Sequence, residues 1–344
     1  MSIPEFPCRA WLPDQMKGWA VWWMILVHSI ELFLNLPDRG SPVAQFALFM
    51  GAVPAAPVFM LLMGYYAIRP GQTFKANIYR GAKLILWGLL LNIGLNFSLI
   101  LRWATGHADV NILEFIFGID ILLFAGAAVL IASLIDLLKI RWPVWLLLAL
   151  AVPAINQWIV MPLIEARTTA IGSPYVTALF AGTSSWSYFP VIPWISYVFA
   201  GIGLYRLFSR WPGLLIRSRY HFFAAIPAVA IFLAGLVPAW KMTQQLDQYY
   251  HHGFLFFVWA MSFILLLFLN VQAMQKGESI AFSKVIRFLG VRVTSVYIIQ
   301  WILIGNLGTW LYQSLSLPAT LLVFALVFLT TLFFALLYHK QKSP

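Results

Sequence analysis

The sequence predicts an all-α, polytopic membrane helical bundle of about ten transmembrane helices, with both termini cytoplasmic. Three observations carry this. Of 344 residues, 62% are hydrophobic and only 10% are charged, with a mean hydropathy of +0.86, whereas a soluble domain carries roughly 25% charged residues. Apolar runs of spanning length recur at approximately 18–36, 44–67, 80–101, 115–138, 143–163, 188–208, 221–240, 253–273, 291–313 and 318–338. With the N-terminus placed in the cytoplasm, all of the 22 lysines and arginines fall on the inner side except Arg39, Arg102, Arg167 and Lys241, as the positive-inside rule requires. The net charge of +11 therefore reads as a topology signal, and no nucleic-acid partner is expected. No repeat, linker or cleavable leader interrupts 1–344, which reads as a single integral-membrane domain, in a bacterial cytoplasmic (inner) membrane. A homodimer is compatible with it. The single cysteine, Cys8, excludes an internal disulfide framework.

The first run sets the chemistry. Lys17, His28 and Glu31 interrupt a segment that otherwise reads as lipid-spanning. On a helix, Lys17 and His28 lie ~20° apart around the axis and ~16 Å apart along it. Glu31 falls one turn beyond His28 and Asn35 two turns beyond, near the same face. That stripe joins a cationic inner mouth to a titratable group at mid-membrane depth.

The run at 80–101 opens in a basic cluster of Arg69, Lys75, Arg80 and Lys83. Arg80 and Lys83 are one turn apart at its predicted N-terminus, where unpaired N–H groups and the helix dipole favour phosphate. Gly88, Asn92 and Asn96 follow at spacing four and suit either close packing or a cavity wall. The fourth run carries Asp120 in its outer third, level with His28 and Glu31. The long outer loop at 164–187 carries Trp186 and has the length of a lid or binding element. His251, His252 and Asp247 lie in another outer loop and read as solvated, with no metal ligand set. The ninth run carries Tyr297 and Gln300 one turn apart. Trp11, Trp142, Trp240 and Trp310 fit an interfacial belt.

Ionisable groups at membrane depth are costly and mark functional sites. That selects His28, Glu31 and Asp120 as catalytic candidates, since a carboxylate beside an imidazole fixes its tautomer and makes it a general base. A hydrogen-bonded cluster that only holds helices together is the competing interpretation. Lys17, Arg69, Lys75, Arg80 and Lys83 are candidates for a polyanionic ligand at the inner mouth. Asn35, Asn92, Asn96, Trp186, Tyr297 and Gln300 are candidates for substrate contacts.

The segment Arg9-x4-Asp14-x2-Lys17-Gly18-x-Ala20, continuing to Met24-Ile-Leu-Val-His28-Ser29, resembles the opening signature of the transmembrane acyltransferases. These comprise the acyltransferase-3 and heparan-alpha-glucosaminide N-acetyltransferase-like proteins. Lys17 and His28 match the acyltransferase-3 hallmark of a basic residue, ten residues and a histidine, and Arg80-Gly-Ala-Lys83 matches its basic pair. Phe189-Pro190-x2-Pro193-Trp194-x2-Tyr197-x3-Gly201 is similar to the sixth-region signature of the heparan type. Leu289-Gly290 with Tyr297-Ile-Ile-Gln300 resembles its late Gly…Tyr-x-x-His element, with Gln300 in the histidine's place.

The resemblance implies transfer of an acetyl or other short acyl group from cytoplasmic acyl-CoA (acetyl-CoA as co-substrate, no metal) to a hydroxyl or amine acceptor, typically a sugar. His28 would be the base or a covalent carrier, Glu31 or Asp120 would orient it, and Lys17, Arg80 and Lys83 would hold CoA phosphates. The rival is a proton-coupled exporter using His28, Glu31 and Asp120 as a relay, although neither the inverted repeat nor paired broken segments of a transporter are present. A haem-binding subunit needs a second deep histidine, which the sequence lacks.

Overall fold

A computed structural model describes residues 11–68, 72–165, 174–182, 184, 186–216, 218–274 and 281–340. Arg9, Arg69, Arg167, Arg217, Lys276 and Lys342 of the charge sorting lie outside them. The described chain is all-α, with one isolated β-bridge between Leu34 and Leu315. Among the described residues seven helices are long and apolar enough to cross a membrane, or eight if one bent pair is counted as a single span. They are α2 (Pro42–Ala67), α3 (Phe74–Leu95), α7 (Trp142–Ile155, extended to Leu163 through a π-turn at Asn156–Val160 and α8, Met161–Glu165), α10 (Val191–Arg210), α12 (Ser218–Thr243), α14 (Phe254–Ala273) and α17 (Leu317–Lys340). The bent pair is α15 (Ala281–Val291) and α16 (Val293–Leu311), which meet at 91°. Two further runs form α1 (Trp11–Phe33), which carries Asp14, Lys17 and Glu31, and the 16-residue α6 (Ile121–Asp136). Each apolar run thus has its helix, and among the described residues five short helices, α4 (Phe97–Ala104), α5 (Ile112–Ile116), α9 (Pro174–Ala181), α11 (Gly213–Ile216) and α13 (Leu246–Tyr250), lie between the long ones.

Several boundaries move for local reasons. Helix α1 is described from Trp11 onward and carries Asp14 near that end. It stops at Phe33, so Asn35 is not on its face. Instead the Asn35 Oδ1 accepts from the Asp38 N–H at 2.9 Å, an Asx-type turn ahead of a 3₁₀ turn at Pro37–Gly40. Helix α3 begins at Phe74, with the Thr73 hydroxyl accepting from the Ala76 N–H at 3.2 Å. Arg80 and Lys83 therefore lie beyond its first turn, and the N-terminal amides expected to assist them belong to residues nearer Lys75. The predicted fourth span breaks at 117–120, between α5 and α6.

Two compact units emerge from the Cα framework. One comprises Phe59–Leu90 and Phe117–Leu266. In it a Cβ on Gly201 would overlap the Leu61 carbonyl and one on Gly64 would overlap that of Val198, so α10 and the end of α2 touch backbone to backbone. Arg206 is ion-paired with Asp136 and donates to the Ile140 carbonyl at 2.6 Å.

The other unit comprises 11–58, Leu91–Ile116 and 267–340. Here α1 packs against α15, α16 and α17. Gly18 and Gly290 make that possible, because a Cβ on Gly18 would overlap the Ile286 carbonyl and one on Gly290 the Asp14 carbonyl. At the far end of α1, the Leu32 carbonyl accepts from Gln313 N–H at 2.8 Å and the Leu317 N–H donates to Asp38 Oδ2 at 2.9 Å.

Candidate active site

His28 lies five residues before Phe33, the last residue of α1, ~8 Å from that end. The helix ends at Phe33, three residues before the end of the predicted run, which brings His28 nearer to a helix end than that run implied. Its Nδ1 is 3.1 Å from Glu31 Oε2, and both side chains are 13% exposed. A carboxylate can only accept, so this contact puts the hydrogen on Nδ1 and leaves the Nε2 lone pair outward. Among the described residues Nε2 has no hydrogen-bond partner. The Trp301 ring of α16 covers the imidazole at 4.3 Å between centroids, and Tyr297 lies one turn back at 6.4 Å from Trp301. Arg39 braces the end of the helix, its Nη2 donating to the Glu31 carbonyl at 2.7 Å.

The first and last sequence motifs thus meet in one unit. Gly18 of the opening signature packs on the Gly290 region, and His28 packs on the residue after Gln300. Gln15 adds a tie across the same helix pair, donating to the Ser283 hydroxyl at 2.7 Å. Lys17, expected at a cationic inner mouth, has its Nζ bound to Asp14 Oδ1 at 2.6 Å.

The other candidates take different places. Asp120, in the other unit, precedes α6 as its N-cap and accepts from the Ile121 N–H at 2.6 Å. Asn92 Nδ2 donates to the Ile116 carbonyl at 3.0 Å and Asn96 Nδ2 to the Asn92 carbonyl at 2.9 Å, so these amides tie backbone together. The Trp186 carbonyl accepts from the Ile119 N–H at 2.9 Å, and its ring meets that of Tyr175 at a tilt, 5.3 Å between centroids. Lys75 and Lys83 are exposed on α3 and Arg80 is half-buried; Arg69 lies outside the described residues. Trp11 is buried rather than interfacial.

His252 overturns the expectation of a solvated loop. It is 1% exposed. Its Nδ1 donates to the Tyr249 carbonyl at 2.9 Å, and its Nε2 accepts from the Tyr197 hydroxyl at 3.1 Å. Burial pushes its pKa down to about 4, with the neighbouring His251 adding a smaller push the same way. Trp194 donates to the Tyr250 carbonyl at 2.8 Å. The Trp194 and Tyr197 positions of the Pro-Trp-x-x-Tyr motif are thereby a staple between α10 and the 249–252 turn. A pair of adjacent histidines in a polar stretch gives no sign of which one a tertiary partner will cover.

In an all-helical membrane protein an imidazole–carboxylate pair of this kind suits an intramembrane enzyme, a proton path or a packing cluster, and comparison with known families bears on the choice. The chain belongs to the family described as heparan-alpha-glucosaminide N-acetyltransferase, catalytic, whose profile matches residues 9–219. It is accordingly an integral-membrane acetyltransferase of the glycan-modifying class, and the matched region includes His28, Glu31 and the Pro-Trp-x-x-Tyr motif. No curated protein and no solved structure matches the chain.

Proposed function

We propose that the protein moves an acetyl group from cytoplasmic acetyl-CoA to an amine or hydroxyl of a sugar acceptor in a bacterial cytoplasmic membrane, with His28 as general base. The observation that carries this is the His28–Glu31 contact at 3.1 Å, which leaves Nε2 without a partner among the described residues. In the transfer, Nε2 takes the proton of the acceptor nucleophile while that atom bonds to the thioester carbonyl carbon. The tetrahedral adduct then expels the CoA thiolate, which recovers the proton as the imidazolium returns to its neutral form. Glu31 holds the ring and balances its charge while protonated. Because a good base here contributes on the order of 10²–10⁴ in rate, it accounts for a fraction of the acceleration and positioning supplies the rest.

Lys75, Arg80 and Lys83 are proposed to bind CoA phosphates as point charges. Ten spans with both ends cytoplasmic is the topology this function uses, because the charge asymmetry puts those residues on the side where CoA is made. The family match favours acyl transfer over proton-coupled export. The test is direct: purified protein in detergent, given acetyl-labelled acetyl-CoA and glucosamine, should form labelled N-acetylglucosamine and release free CoA in equal amounts. Release of neither, with no acetyl-CoA binding, would remove this function.

A further inference from the structure

We infer that the Gln300 side-chain amide is a substrate anchor in the transfer site, holding a neutral group that both donates and accepts a hydrogen bond. Such a group is either a secondary amide of the pantetheine arm or a hydroxyl or amide of the acceptor. The inference rests on the His28 assignment above.

Gln300 is 0% exposed, and neither its Nε2 nor its Oε1 has a hydrogen-bond partner among the described residues. A glutamine amide offers two donors and two acceptor lone pairs, and burying it unpaired costs more than burying an apolar side chain of the same shape. Other amides of the same unit do not tolerate this. Gln15 donates to Ser283, Asn92 to Ile116, and Asn306 bonds both Ser98 and Gly94.

Gln300 also stands in a telling place. The next residue, Trp301, covers the His28 ring, and its Nε1 is likewise buried without a partner among the described residues. One turn back, Tyr297 is buried as well. A ligand whose reacting carbon lies near His28 Nε2 passes a helix that presents unspent donors and an unspent acceptor at that level. Because Oε1 needs a donor as well as Nε2 an acceptor, a group that does both suits the amide better than a carboxylate or phosphate, which only accept.

Gln300→Met separates this from a structural accident, because it keeps length and volume and removes only the polarity. Wild type and variant are compared for melting temperature in detergent and for transfer from acetyl-CoA to glucosamine. The expected result is a melting temperature equal to or above wild type with kcat/KM reduced at least tenfold. A rise in KM for acetyl-CoA assigns the anchor to pantetheine, and a rise in KM for glucosamine assigns it to the acceptor. Gln300→Leu repeats the measurement if the methionine variant does not accumulate. Unchanged kinetics overturn the inference, as does a clear fall in melting temperature, which would mean the amide is satisfied within the protein. Failure of the wild type itself to bind or transfer acetyl strikes the function and not this residue.

Discussion

Acid should weaken the protein through one buried imidazole. Burial lowers the His252 pKa from 6.5 to about 4, so between those values the unfolded chain binds a proton that the folded chain refuses. Stability is therefore full above pH 6.5, falls as pH drops through the window, and levels off below about 4. The whole displacement corresponds to about 3 kcal/mol, of which about 2 kcal/mol is lost between roughly pH 7 and pH 5. Protonation would also put a hydrogen on the Nε2 that accepts from Tyr197. The assay is the melting temperature in detergent across that range, for wild type and for His252→Gln, whose amide can keep a donor toward Tyr249 and an acceptor toward Tyr197 without titrating. The variant should lose most of the slope. An equal slope in both proteins, or a wild type that gains stability on acidification, would refute the reasoning.

Two further outcomes follow from the helix that carries His28. Gly18→Ala drives a methyl into the Ile286 carbonyl, which cannot rotate away, so the melting temperature should fall by the equivalent of about 2 kcal/mol; Gly40→Ala, with nothing within 4 Å, should stay within about 0.5 kcal/mol of wild type. Glu31→Gln keeps an acceptor for His28 Nδ1 but not its charge, so kcat should fall on the order of 10²-fold with KM for acetyl-CoA unchanged. Partial rescue by Glu31→Asp would mark positioning, whereas an unchanged kcat in Glu31→Gln would count against it.

The sequence makes the helices legible because apolarity is long-range and redundant: one misplaced residue does not hide a run of twenty. Helix ends are different. Asn35 looks helical by spacing, yet the turn it forms with Asp38 ahead of the following segment ends α1 two residues earlier. Thr73 moves the start of α3 upstream of Arg80 in the same way. At the site, His28 and Glu31 were readable because i, i+3 spacing on a helix brings side chains together without help from the rest of the chain. The contact of Trp301 with His28 and the burial of His252 depend on which helices pack together, which a single sequence does not encode in any local pattern. Charge at depth singles out Asp120, and an aspartate at a helix start also has a local role: its carboxylate accepts from the Ile121 N–H.

The most direct measurement is acetyl transfer by His28→Ala beside its affinity for acetyl-CoA. The prediction is turnover reduced on the order of 10²–10⁴-fold, with acetyl-CoA bound as tightly as by wild type. A variant that transfers acetyl at the wild-type rate would contradict the role assigned to this imidazole.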